Sequence, residues 1–193
     1  MNDLDDNDPP PDEIRDAKTI ARRTLALFGT VGVALGAPRD DVLQWLKESN
    51  LWDELSPLEG AYLSDINPTR RQNIDATWKS EGLTVLLWAL GKISVLPAPN
   101  QQCDTSIFQK LLPPYASISA ADFISSAERR SDDALLAMAD ELMDLHWHAR
   151  DAQINGREMS ADLDIEIIQE RHLAINWAIG YDGLPWDEVT TDT

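Results

Sequence analysis

Apolar residues recur every three to four positions along most of the chain, and alternation with a period of two is almost absent, so the predicted elements are helices. Ile14, Ala17, Ala21, Leu25 and Phe28, continuing toward Leu35, share one face of a first helix, for which Asp12 and Glu13 supply first-turn acids. Gly29, Gly32 and Gly36 lower its helix propensity but let another backbone come close. A second helix opens near Pro38 to Asp41 and carries Val42, Leu43, Trp45 and Leu46 on adjoining faces. In Ser56-Pro57-Leu58-Glu59, a serine cap, a proline in the first helical position and a glutamate in the third form a capping box. That combination predicts a short third helix.

Asn67-Pro68 predicts the start of the longest helix, which runs to Leu90 and stops at Gly91. Its end, GLTVLLWALG, is apolar nearly all round, so this helix is expected to have neighbours on every side and to lie at the centre. Residues 92–119 read as a wandering connector with one helical turn around Ser106 to Leu112, and strand pieces are admitted only near Ile93 to Leu96. Ser119 opens a short helix to about Arg129. Ser131 opens a longer one, with the stripe Leu135, Met138, Leu142, Leu145 and Ala149, broken by Asn155-Gly156. The last helix follows Ser160 or Asp162, aligns Ile165, Ile168, His172, Ile175 and Ile179, and closes at Gly180. Beyond it lie a turn at Asp182-Gly183 and one large anchor, Trp186. The expected fold is all-α: a single-domain bundle of about seven or eight helices around the 68–90 helix, with the 131–153 and 163–179 helices packed against it. Residues 1–11 are expected to be a disordered acidic tail, and residues 12–193 the single helical domain.

Composition agrees with a globular domain, because a hydrophobic content of 43% and seven tryptophans exceed what a solvated chain carries. The formal charge is −18, and more than half of the excess sits at the two ends. Nucleic-acid binding is disfavoured, since phosphate contacts need a basic footprint and the arginine pairs 22–23, 70–71 and 129–130 stand isolated. Cys103 is alone, which excludes a disulfide framework or thiolate metal cluster and suits a reducing interior. The opening MNDLDDNDPPP is the opposite of a signal peptide, and the best apolar run, LALFGTVGVALGA, falls short of the roughly twenty residues needed to span a bilayer. No membrane role and a cytoplasmic location are expected.

Candidate chemistry centres on two anomalies. Ile74, Trp78, Glu81, Val85 and Trp88 follow helical spacing, which puts Glu81 in an apolar stripe between two indoles. A lone buried carboxylate costs several kcal/mol, so it requires a partner from another helix: Arg171, His172, His146 or Arg150. His172 and Asn176 likewise fall on the apolar face of the last helix. The candidate cluster is therefore Glu81, His146, Arg171, His172 and Asn176. It is either a site, with Glu81 orienting a histidine base and Arg171 clamping an anion, or a hydrogen-bonded seam that sets helix register. His146 and His148 in HWHAR point about 200° apart on a helix and do not chelate one ion. The acidic runs lack the glycine and glutamate of a calcium loop. Ser80 is rotated away from Glu81, and no Gly-Lys-Ser/Thr follows the early glycines. No metal and no cofactor are expected.

TWKSEGLTVLLWALGKI at 77–93, LHWHAR at 145–150, ERHLAINWAIGY at 170–181, WDEVTTDT at 186–193 and LWDELSPLE at 51–59 together resemble the family of domains of unknown function numbered 4272. The chain departs from that pattern at Gly82, where alanine is more usual, and at Leu173, where an aromatic is; both changes are expected to loosen packing. The resemblance implies a single helical domain and no catalytic residue. Charge and the missing catalytic signatures together favour a non-enzymatic interaction protein that binds a basic protein, in the manner of an inhibitor or immunity protein. The alternative is an enzyme or small-ligand binder working through the polar cluster. Exposure of Glu81, Arg171 and His172 in a pocket would favour the alternative; sealed burial would favour the scaffold.

Overall fold

A computed structural model describes residues 13–192. The expected acidic tail over residues 1–11 lies outside the described residues. Eight α-helices and no strand are found among them: α1 (Ala17–Ala34), α2 (Arg39–Glu48), α3 (Pro57–Ser64), α4 (Arg70–Ala89), α5 (Phe108–Leu111), α6 (Ala120–Ser125), α7 (Asp132–Ile154) and α8 (Ile165–Ile179). Short 3-10 turns at 52–54, 105–107, 181–183 and 186–188 join them. Residues 93–96, the one stretch where a strand was admitted, form bends.

The helix starts follow side-chain capping. Asp16 caps α1, its carboxylate accepting from the N–H groups of Lys18 and Thr19, so the helix begins later than expected and Glu13 precedes it instead of lying in its first turn. The chain just before it is tied down, with the Arg15 N–H donating to the Ala178 carbonyl at 3.0 Å. Ser56 and Glu59 make the expected reciprocal box at α3. Thr69 and Gln72 make a second one at α4, so that helix begins two residues after the Asn67-Pro68 signal. Gly180 ends α8 in the left-handed conformation, and a side chain there would collide with the Glu13 backbone.

Packing sets the order of layers. α4 lies between α1 and α8, and α8 lies between α4 and α7, while α2, α3 and α6 surround α1. α7 therefore packs on α8 rather than directly on the central helix as expected, and at 23 residues it, not α4, is the longest. The second half of α4, Ser80 to Leu90, is buried throughout, in keeping with its all-round apolar sequence. Its first half is not: Ile74 is exposed and Trp78 half-buried. Leu35, expected inside, is 48% exposed as the C-cap of α1. Gly29 admits Leu46 of α2 to within 3.0 Å of where a Cβ would stand. Gly82 faces Ala174 of α8 at 3.3 Å by the same measure, so its missing methyl brings two helices together instead of loosening them.

The C-terminus of α4 carries no basic residue of its own. Arg130 supplies the charge from the start of α7: its Nε donates to the Trp88 carbonyl at 2.8 Å and its Nη2 to those of Ile93 at 3.0 Å and Ser94 at 3.1 Å. Its guanidinium also stacks 4.5 Å above the Trp88 ring. Arg130→Ala leaves these carbonyls unmet and is expected to cost about 2 kcal/mol. Thermal denaturation should show this as a fall in Tm of about 4–8 °C, with Arg130→Lys recovering only part because it lacks the planar fork.

Candidate functional site

Glu81 sits where the apolar half of α4 meets α8, and Arg171 faces it from the second turn of α8. Arg171 Nε and Nη2 both lie 2.9 Å from Glu81 Oε2. The other carboxylate oxygen, Oε1, accepts from the Cys103 N–H at 2.7 Å. The remaining arginine protons point at the connector: Nη1 donates to the carbonyls of Pro97 at 2.6 Å and Ala98 at 3.3 Å, and Nη2 to that of Gln101 at 2.9 Å. All five guanidinium N–H groups and both carboxylate oxygens thus have partners. The pair is 1–2% exposed, so the charges are compensated by contact with each other and the backbone rather than by water.

The histidines form a separate contact. His146 of α7 and His172 of α8 meet Nδ1 to Nδ1 at 3.1 Å, with their rings nearly perpendicular. One imidazole must donate and the other accept, which two neutral rings satisfy. Burial, reinforced by the neighbouring His146 and partly opposed by Asp192, pushes His172 down to about 4. Burial and the nearby Arg150 also lower His146. Asn176, one turn beyond His172, donates from Nδ2 to the Thr190 carbonyl at 3.0 Å and fastens the C-terminal segment to α8.

The five candidate residues are 1–5% exposed but fall into three separate contacts, Glu81 with Arg171, His146 with His172 and Asn176 with the Thr190 carbonyl; Arg171 and His172, adjacent in sequence, point about 100° apart on α8. Glu81 engages Arg171 and orients no histidine. The general-base arrangement is therefore not formed: the carboxylate has no oxygen to offer and the imidazoles face each other. His148 is exposed on the opposite side of α7 from His146. No group of three or more His, Cys, Asp or Glu side chains among the described residues is placed to hold a metal. Burial raises the Cys103 thiol above its ordinary value, which keeps it in the unreactive thiol form.

A second buried pair was not foreseen. Arg23 of α1 bonds Glu59 of α3 through Nη2 and Oε1, and its Nη1 donates to the Glu54 carbonyl at 2.7 Å. Its guanidinium lies 4.4 Å over Trp186, which meets Trp177 edge-on at 5.5 Å, and Arg15 stacks 4.5 Å over Trp177. The available signal was the spacing of Glu59, Tyr62 and Leu63 on one helix face; the capping role of Glu59 concealed it.

Fold and polar interior define a class: a single-domain all-α protein whose central buried ion pair, Glu81 with Arg171, is satisfied by the protein itself. The chain belongs to the family described as Domain of unknown function (DUF4272), whose model matches residues 6–189. No curated protein and no solved structure matches it.

Breaking the central pair leaves one buried charge uncompensated, so Glu81→Ala and Arg171→Ala are each expected to lose about 3–5 kcal/mol. In urea titrations the double variant should lose far less than the sum of the two, since their coupling is direct. The histidine contact adds an acid limb. With its folded value below the unfolded 6.5, His172 takes up protons more readily in the unfolded chain, so stability is complete above pH 6.5 and falls between there and about pH 4. The urea midpoint of His172→Asn should decline less steeply over that window than that of the wild type.

Proposed function

We propose that the protein is a non-enzymatic interaction protein that docks a basic partner along the outward face of α7. One observation carries this reading. Leu136, Met143, Trp147 and Ile154 are 45%, 44%, 49% and 74% exposed, and at 100° per residue they fall within about 20° of a single line roughly 27 Å long. A monomeric helix surface of this length is ordinarily polar, and a continuous apolar stripe is characteristic of an interaction site.

The charge beside the stripe names the partner's chemistry. Asp133, Asp140, Asp144 and Asp151 run along the adjacent line of the same helix. Asp133, Asp140 and Asp144 take part in no ion pair among the described residues. A basic amphipathic helix would lay apolar side chains on the stripe and lysines or arginines on the acids. An anionic membrane surface would be repelled by the same row, and a second copy of the chain would bring acid against acid. Among the described residues, no helix is long and apolar enough to cross a membrane. For the lone, half-buried Cys103 we propose the reducing cytoplasm.

A fluorescein-labelled helical peptide of leucine and lysine tests the reading by anisotropy. Binding is expected at 50 mM salt and should weaken about tenfold or more at 500 mM. Met143→Ser with Trp147→Ser, and Asp140→Lys with Asp144→Lys, should each reduce affinity about tenfold. Asp40→Lys with Asp41→Lys, an equal charge change on exposed positions of α2, should not match that loss. Equal loss from the α2 change, or none from the α7 changes, would remove the basis of the proposal.

A further inference from the structure

On the far side of α4 from the Glu81–Arg171 pair, α1, α3, α4, α8 and the C-terminal segment line a half-open pocket of about 310 Å³. That is the lower end of the range for small-molecule sites, enough for one ring with a short substituent. Its walls are mostly apolar, with Leu58, Tyr62, Ala76, Leu173 and Trp186 among them. α7 contributes nothing to it, so it is independent of the face assigned above.

The charged groups around the cavity are unequal. Glu59, Asp75 and Asp187 line it, against Lys79 as the one cation. Lys79 is already held by both oxygens of Glu170, at 3.1 and 3.0 Å. Glu59 is paired with Arg23, and Asp75 with Arg71 at the exposed start of α4. Asp187 differs: its Oδ2 accepts from the Leu58 N–H at 2.9 Å, and it forms no ion pair among the described residues. A purely apolar occupant would strip water from this carboxylate without replacing it, which is unfavourable. An anionic occupant would meet the uncompensated Asp187 carboxylate and a cation already neutralised by Glu170.

Thr30 adds a polar point on the α1 wall. Its hydroxyl is one of two buried side-chain polar groups without a hydrogen-bond partner among the described residues. Threonine in a helix divides between two χ1 rotamers, so its hydroxyl can be re-aimed by a single rotation. A buried group left unpaired in this way has its full hydrogen-bonding capacity for an occupant.

We propose that this pocket binds a small organic ammonium, its ring against Trp186, Leu173 and Ala76 and its ammonium group at Asp187. The Thr30 hydroxyl offers a further hydrogen bond to a polar substituent on that ring.

Benzylamine, benzyl alcohol and benzoate, close in shape and different in charge, are the probes, read by calorimetry and by shifts of the Trp186 indole N–H resonance. Benzylamine is expected to bind with a Kd on the order of 0.1–1 mM, at least about tenfold tighter than the alcohol or the acid. Asp187→Asn keeps an acceptor for Leu58 and should weaken the amine about fivefold or more. Leu173→Phe fills the cavity and should abolish binding while circular dichroism and Tm remain those of a folded chain. Met143→Ser with Trp147→Ser should leave amine binding unchanged, which keeps this test apart from that of the α7 face. Equal binding of the three probes, no binding of benzylamine, or undiminished binding to folded Leu173→Phe would overturn the assignment.

Discussion

Arg171 carries five N–H groups in a rigid plane, and each points at an acceptor inside the protein: the Glu81 carboxylate on one side and the carbonyls of Pro97, Ala98 and Gln101 on the other. A buried ion pair is not by itself a source of stability, because removing two charges from water costs about as much as their attraction returns. What makes this one tolerable is completeness. The geometry that completes it also determines where α4, α8 and the connector lie relative to one another. The connector, which has little regular structure to meet its backbone needs, is held by that arginine and by the Cys103 N–H on Glu81. The sheet of contacts outward from α8, through the paired histidines to α7, builds on the same placement.

A comparable network secures the ends of the described chain. Arg15 and Arg23 stack on Trp177 and Trp186, and Arg23 closes onto Glu59, so the first helix, the third helix and the C-terminal segment share one interlocked set. Cation–π stacking suits this place because indole faces supply attraction without demanding further hydrogen bonds. Trp186 also forms one wall of the cavity, so the segment that anchors the tail shapes the proposed amine site. The two proposals for recognition rest on peripheral features instead: the α7 stripe with its acids, and the pocket under the C-terminal segment.

Much of the fold was legible because it follows from local rules. The SPLE cap, the Gly180 stop, the Ser119 and Ser131 caps and the all-round apolar end of α4 are each set by a few adjacent residues. The burial of Glu81, His172 and Asn176 was also readable, since each falls on an apolar helical face, and Arg171 and His146 were named as partners that a buried carboxylate would require. Their division into three separate contacts was not. Whether Glu81 meets an arginine or a histidine depends on the rotation of α8 about its axis, which no residue of α8 alone reveals. Arg23 and Arg130 were missed for the same reason, their partners lying on other elements of the chain.

The sequence by itself determined helical content, the main boundaries and which polar groups would need company, because caps and the 3.6-residue period act over a handful of neighbours. Only the tertiary structure decided who keeps that company, that α7 rests on α8 instead of α4, and that Gly82 tightens a helix contact. It also separated the inward stripe of α7 from the outward one formed by Leu136, Met143, Trp147 and Ile154. Apolar residues on both sides of a helix leave its orientation undecided until a neighbour covers one of them, and α8 makes that choice.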